Sequence, residues 1–351
     1  MSNNKTQDLG HCLMVGGAGF LGRNIAKALL AKGCKVRVFD RVETNYHDKN
    51  LESLQGDLLD QEALNKACEG IDCVFHCAAI IELGGGKKAP QSYRQRSLTI
   101  NVQGTKNVLA ACLNSGVKRM VYTSSNAVCF NGTPVTGLNS DSPYAHRVYD
   151  MYTESKVLAE QAVLAANGEQ GLHTVAIRPS GIYGAESNMM LDKFVTEVAA
   201  GKLVATIGNP NAVHENSFID NLVHAHILAA ERAVTGNRCC GRGYFISDNE
   251  PQNYFEFFRP LIEGLGHKFP TFSIPMGALM PILQAWQWLH YTVGFPEPAM
   301  RPKELDKVCV THISDIRESE YDLDYLPLVS VKEAMAICLP YCQTLYQQLK
   351  K

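Results

Sequence analysis

Tyr152 and Lys156 stand four residues apart in the run Tyr-Asp-Met-Tyr-Thr-Glu-Ser-Lys, some 27 residues after Thr123-Ser124-Ser125. On a helix that spacing puts two side chains on one face about a turn apart, so an ammonium can sit beside a phenol and favour its ionised form. At ~5 Å and an effective dielectric of ~20 the attraction is about 3 kcal/mol, or roughly two pK units off a phenol that starts near ~10. The pair therefore reads as a proton-transfer group brought towards neutral pH. Tyr-x-x-x-Lys also occurs on ordinary surface helices, so the order of the surrounding elements has to decide between the two readings.

That order is informative. The strand-like stretch from His11 to Val15 runs straight into Gly16-Gly17-Ala18-Gly19-Phe20-Leu21-Gly22, which opens an apolar-periodic helix from Phe20 to about Ala31, closed by Gly33. Lys35 to Phe39 follows as a second strand and ends in Asp40. In this βαβ setting the glycines permit a tight turn and close approach of backbone to a pyrophosphate, which the amides and dipole of the helix N-terminus hold. Joined to the tyrosine–lysine pair, the loop points to redox chemistry with a nicotinamide dinucleotide. Further strands are read at Ile71 to Phe75, Val117 to Tyr122 and His173 to Ile177, and helices at about Leu98 to Asn114 and Asp150 to Ala166. The alternation predicts an α/β fold, a doubly wound parallel sheet of the Rossmann kind. Residues 10–180 are expected to form the dinucleotide-binding domain, with 218–247 returning to it. Residues 181–217 and 248–351 are expected to make a smaller C-terminal substrate lobe of loops and short helices over the strand ends.

At this point the chain resembles the extended short-chain dehydrogenases/reductases, and among them the 3β-hydroxysteroid dehydrogenase/isomerase-like family. The carriers are GGAGFLG at 16–22, GDLLD at 56–60, VFHCAA at 74–79, NVQGTKNVL at 101–109, VYTSS at 121–125, the Tyr152 and Lys156 pair, RPSGIYG at 178–184 and FIDNLVHAHILAA at 218–230. The resemblance implies a catalytic set of Ser125, Tyr152 and Lys156, with Ser124 as the alternative if the register is off by one. Ser125 would hold the substrate oxygen while Tyr152 moves the alcohol proton. It further implies that Gly16, Gly19, Phe20, Leu21 and Gly22 hold the dinucleotide. Asp57 and Leu58 would flank the adenine, and Cys77, Ala78 and Ala79 would pass over the cofactor. Pro179 and Ser180 would contact the nicotinamide end. Asn101 matches an asparagine that positions the lysine through water, although an asparagine at a helix start is also a common cap.

Asp40 sets the cofactor expectation. A carboxylate at the end of the second strand accepts hydrogen bonds from the adenosine ribose and repels a 2′-phosphate, which favours NAD over NADP. The adjacent Arg41 could instead embrace a phosphate.

Composition limits the rest. With 351 residues, 46% of them hydrophobic, the chain can bury a large core. A formal net charge of −2 and the absence of a long basic stretch argue against a nucleic-acid partner or a polybasic membrane patch. Twelve scattered cysteines read as reduced, buried thiols in a cytoplasmic protein, and no spacing suggests a metal site. Gly84-Gly85-Gly86-Lys87-Lys88 lacks the spacing of a phosphate loop and reads as a mobile lip of the substrate mouth.

The stretch from Ile274 to Phe295 is strongly apolar but broken by Pro275, Pro281, Gln284, Gln287 and His290, so it is too interrupted to span a bilayer. It reads as a lid over an apolar pocket. A core helix of the smaller lobe and a helix lying in a membrane interface are the other readings. The function expected is NAD-dependent interconversion of a secondary alcohol and ketone on a bulky apolar substrate, a 3β-hydroxysteroid or sterol. A long-chain β-keto acid reductase, a nucleotide-sugar epimerase or dehydratase, and a non-enzymatic NAD sensor are the rivals. A homodimer is expected from the resemblance.

Overall fold

A computed structural model describes residues 8–81, 91–145, 150–187, 190–298 and 300–351. The glycine–lysine run at 84–88 lies outside the described residues.

Seven strands form one all-parallel sheet: β1 (His11–Val15), β2 (Lys35–Asp40), β3 (Leu51–Gln55), β4 (Cys73–His76), β5 (Arg119–Thr123), β6 (His173–Pro179) and β7 (Arg242–Ile246), in the order β7-β6-β5-β4-β1-β2-β3. The central strands are near-continuous apolar runs because helices cover both faces, leaving no wet side on which polar residues could alternate. One face packs on the helices Phe20–Ala31 and Ile219–Arg232. The other packs on Gln61–Cys68, Gly104–Asn114 and Met151–Ala165. The strand order reverses between β1 and β4, so the crevice outside the ends of those two strands is where such a sheet takes its ligand.

Beyond β6 the chain builds over the strand ends. Three short parallel pairs tie this region together: Gly181–Tyr183 with Asn216–Phe218, Thr206–Ile207 with Ser273–Ile274, and Val135–Leu138 with His312–Ser314. The helices here are longer than the sequence pattern suggests. Met276–Val293 is an 18-residue helix that runs through Pro281, and Val331–Lys350 is a 20-residue helix through Pro340. A proline inside a helix removes one backbone hydrogen bond and kinks the chain, but it need not end the element. Two further departures concern the site. The helix read from Leu98 begins with a π-helical turn, Leu98–Gln103, before its α-helical part. The helix read from Asp150 is capped by that residue, whose carboxylate accepts from the Thr153 amide.

Candidate active site

The glycine loop is as tight as backbone allows. Gly16 has φ 90°, and a Cβ there would sit 2.7 Å from the Ala78 backbone nitrogen. A Cβ on Gly22 would lie 2.2 Å from the Gly16 carbonyl oxygen, so the helix first turn could not close onto the loop. The resulting cleft is lined by Gly16, Gly19, Asp40, Arg41, Asp57, Leu58, Cys77, Ala78 and Ala79, together with Phe39, Gly56, Ile80 and Ile100. Asp40 is fixed there: Oδ2 accepts from the Ala18 amide at 3.0 Å and Oδ1 from the Val42 amide at 3.2 Å. Arg41 is exposed. Two glycines that no larger residue could replace, an open helix N-terminus and a carboxylate at the strand end make a cradle that fits a dinucleotide. Phe20 and Gly22 do not line it. Gly22 acts beneath the loop, and the Phe20 ring turns towards Gly184 and carries the Arg23 guanidinium 5.4 Å from its centre.

Ser125, Tyr152 and Lys156 meet in an adjoining cavity of about 450 Å³, with Leu21, Cys77, Ala79, Ser124, Pro179 and Ser180 also in its walls. The Tyr152 hydroxyl shares a hydrogen bond with Ser125, whose Oγ also accepts from the Ala127 amide at 3.2 Å. Lys156 Nζ, in the same cavity wall, donates to the Thr123 carbonyl at 2.7 Å and to the Tyr122 hydroxyl at 3.3 Å, and lies 4.8 Å from the centre of the Tyr122 ring. Helix spacing alone brings the two Cβ atoms together; the long lysine chain then reaches the nearest buried acceptors at the end of β5. The Tyr152 phenol is raised from its ordinary value, not lowered. Burial, opposed by the Ser125 hydrogen bond and added to by the Asp150 charge, pushes it up to about 12. Burial likewise brings Lys156 down to about 8, against the opposing pull of Cys77 and Glu160.

Asn101 lies in the π-helical turn rather than at a cap. Its Oδ1 accepts from the Ile80 amide at 2.8 Å, and its Nδ2 donates to the Ile80 carbonyl at 2.9 Å and to Ser155 Oγ at 2.9 Å. Ser155 in turn donates to the Tyr152 carbonyl at 2.8 Å, so Asn101 ties the end of the cofactor cleft to the tyrosine helix. Cys77, Thr123 and His226 form a second buried chain. His226 Nδ1 can only donate to the Leu222 carbonyl at 2.8 Å, which makes Nε2 the acceptor of the Thr123 hydroxyl at 2.8 Å.

A second cavity shares Ser125, Ser180, Gly181 and Met190 with the first. His214, Glu215, Asn216, Tyr254, Lys307 and His312 complete it. None of these six stands out as a site residue in the sequence, because they come from four separate places in the chain and none carries a local motif. No residue from Ile274 to Phe295 lines either of these cavities, so their walls lend the lid reading no support, and the core reading is corrected. Of the helix Met276–Val293 only Leu283 is buried, against Leu305 and Cys309, while Ile282, Trp286, Trp288 and Val293 are exposed. The sequence cannot reveal this, since apolar content alone does not say which surface covers it. Among the described residues, no helix is long and apolar enough to cross a membrane.

Comparison with known proteins agrees with this arrangement. The 3-beta hydroxysteroid dehydrogenase/isomerase family matches residues 13–276. A 3-beta-hydroxysteroid dehydrogenase of Mycolicibacterium neoaurum is 42% identical over 344 residues, covering 97% of this chain and 94% of that protein. The human sterol-4-alpha-carboxylate 3-dehydrogenase, decarboxylating, is 32% identical over 330 residues, covering 92% and 86%. In fold, the UDP-glucuronic acid 4-epimerase of Bacillus cereus solved with NAD superposes with a TM-score of 0.72 at 19% identity, covering 96% of this chain and 99% of that one. With sequence likeness running almost end to end and the tyrosine, lysine and glycine loop gathered at one crevice, the chain belongs to the 3-beta hydroxysteroid dehydrogenase/isomerase family.

Proposed function

We propose that this protein interconverts a secondary alcohol and a ketone on a neutral, bulky, apolar ring system of the 3β-hydroxysteroid or sterol kind, using NAD. The observation that carries the reading is the convergence of Ser125, Tyr152 and Lys156 in one cavity that opens beside the glycine-loop cleft. A dinucleotide bound in that cleft would supply hydride transfer through its nicotinamide. The protein's own residues do the rest. Ser125 Oγ holds the substrate oxygen, and Tyr152 takes its proton during oxidation or returns it during reduction. Lys156, anchored on the Thr123 carbonyl, holds its positive charge in the wall of the same cavity. Gly16, Gly19 and the helix amides hold the pyrophosphate. Asp40, already oriented by the Ala18 amide, takes the adenosine ribose, which favours NAD over NADP.

The charges around the substrate side favour a neutral molecule. Lys307 pairs with Asp150 at 3.4 Å and Lys193 with Glu304 at 3.5 Å. Glu215 accepts from Ser247 and from the amide and hydroxyl of Ser314. Among the described residues, Lys156 apart, every cation in these walls already has a carboxylate partner, and Glu215 adds a negative charge, so nothing there is free to hold the diphosphate of a nucleotide sugar or a substrate carboxylate. The test is NADH formation from a panel containing a neutral 3β-hydroxysteroid, a 4-carboxylated sterol, a long-chain β-hydroxy acid and a nucleotide sugar. The neutral steroid should be oxidised fastest. Absence of turnover with every neutral sterol alcohol, in protein that binds NAD, overturns the reading.

We further propose that Met276–Val293 lies in a membrane interface. The helix carries no Asp, Glu, Lys or Arg and exposes Ile282, Trp286, Trp288 and Val293, the amphipathic aromatic pattern of interfacial segments. Replacing Trp286 and Trp288 by Ser should lower co-sedimentation with phosphatidylcholine vesicles several-fold while NAD binding stays unchanged; equal sedimentation of wild type and variant refutes it. Homodimerisation through the helices Gly104–Asn114 and Met151–Ala165, and a cytoplasmic setting for the twelve free thiols, are proposed on the family resemblance and composition, with analytical ultracentrifugation as the test of the first.

A further inference from the structure

The C-terminal lobe touches the first turn of the tyrosine helix through a cation. Helix Pro302–Cys309 starts with Glu304 Oε2 accepting from the Arg301 amide at 2.8 Å, and it presents Lys307 in its last turn. Lys307 Nζ is 3.4 Å from Asp150 Oδ2 and 5.9 Å from the centre of the Tyr152 ring. Asp150 is an unusual cap. Its side chain is fully buried, its Oδ1 accepts from the Thr153 amide at 2.6 Å, and its Oδ2 accepts from the Thr153 hydroxyl at 3.1 Å. A carboxylate shut away from water two residues before a proton-transfer phenol opposes ionisation of that phenol unless something offsets it. The helix that offsets it also carries Leu305 and Cys309, which pack on Leu283 of the apolar helix Met276–Val293.

We infer that Lys307 is a positioning residue for Tyr152: its ammonium neutralises Asp150 and seats the C-terminal unit on the first turn of the tyrosine helix, so that the phenol is poised only when that unit is in place. The inference rests on Tyr152 being the acid/base. The groups near the phenol on its own helix are Asp150, Lys156 and Glu154, the last bound by Arg94. From the end of β5 come Tyr122 and Ser125, and from the C-terminal lobe Lys307, with the Lys193–Glu304 pair further round the same cavity. Asp150 is the acid among them that raises Tyr152, and Lys307 is its counter-charge.

The experiment is the pH profile of kcat/KM for alcohol oxidation, with the full-length protein and NAD. Oxidation needs the ionised phenol, so its rate climbs with pH through the tyrosine pKa and a raised pKa moves that limb upward. Lys307→Met should move the limb up by about one pH unit and cut the rate on the limb about tenfold, with KM for NAD unchanged. Lys307→Arg should restore the profile to within about twofold, and Asp150→Asn/Lys307→Met should return the limb to its wild-type position, because both charges are then gone. An unmoved limb in Lys307→Met, or equal damage in Lys307→Arg, overturns the inference. Should Lys307→Met lose its near-ultraviolet circular dichroism, Asp150→Asn alone decides: a limb shifted downward supports the inference and an unmoved one overturns it. Tyr152→Phe separates the two layers. Retained turnover there sinks the acid/base reading itself, whereas a dead Tyr152→Phe beside an unmoved Lys307→Met limb sinks only the role of Lys307.

Discussion

On the proposed role of Asp40 in favouring NAD, changing it to Asn should open the cleft to both dinucleotides. The substitution is chosen because Asp40 does two things at once. Its Oδ2 accepts from the Ala18 amide inside the glycine loop, and the same carboxylate faces the cleft. Asn keeps its one oxygen for Ala18 and gives up only the longer bond from the exposed Val42 amide, so the loop should hold; Ala would leave both amides without their side-chain acceptor, at about 1–3 kcal/mol for the one in the loop. What Asn removes is charge from the hydrogen bonds to the ribose. Hydrogen bonds to a charged acceptor are worth about 1.5–3 kcal/mol, so Kd for NAD should rise about 10- to 150-fold. The like-charge penalty on a 2′-phosphate disappears at the same time, and the ratio of NADP to NAD affinity should climb by about an order of magnitude or more. Titration calorimetry with both dinucleotides, alongside thermal melting to confirm the fold, reads both effects. A wild-type enzyme that turns over NADPH faster than NADH at matched concentration, or an Asp40→Asn Kd within twofold of wild type, refutes the assignment.

Tyr152→Phe should lower turnover by ~10²-fold or more with NAD affinity unchanged, as loss of a positioned proton carrier requires, and near-normal turnover in a stopped-flow NADH assay would contradict it. Gly22→Ala places a methyl 2.2 Å from the Gly16 carbonyl, so it should destabilise the protein by about 1–3 kcal/mol and weaken NAD binding together; urea unfolding and calorimetry matching wild type would show that the loop can yield. Lys156 carries a pH signature in stability. Its folded pKa, about 8, lies below the ordinary 10.5, so between these values the unfolded chain holds the extra proton and stability rises with pH; below about 8 the buried ammonium is a standing penalty. The stability difference between wild type and Lys156→Met should therefore shift by on the order of 3 kcal/mol in favour of wild type between pH 7 and pH 10.5, and a flat difference in urea unfolding excludes the burial argument.

The residues that proved readable are those whose meaning is local. Gly16 to Gly22 follow a buried strand and open a helix, and Tyr152 and Lys156 share one helix face, so a short window of chain contains the whole signal. The edge strand Leu51–Gln55 escaped because it is half exposed: Glu52, Ser53 and Gln55 face water, and neither alternation nor a continuous apolar run marks it. For Lys156 the helix spacing indicates the cavity but not the hydrogen-bond partners, since i,i+4 geometry fixes where a side chain starts and not which acceptors a four-carbon stem will reach. Lys307, His214, Tyr254 and His312 were invisible for a different reason. They come to the cavity beside Ser125, and Lys307 also to Tyr152, only through tertiary packing across a hundred or so residues, and nothing in their immediate sequence distinguishes them from ordinary polar positions.

The strand order also dictates a sequence of assembly. Strands β1 to β6 and the tyrosine helix are complete by Pro179, yet their outer edge waits for β7, which pairs with β6 only after an excursion of some sixty residues, and Lys307 arrives later still. Long-range parallel pairing is slow because loop closure must precede the contacts that reward it. On a ribosome, then, the dinucleotide cradle emerges and can close well before the substrate side exists, and a nascent chain would be able to hold its cofactor before it could hold anything to oxidise. Pulse-labelled hydrogen exchange during refolding should accordingly protect β1, β4 and β5 ahead of β7, and simultaneous protection of all four would mean that the sheet condenses as a single unit.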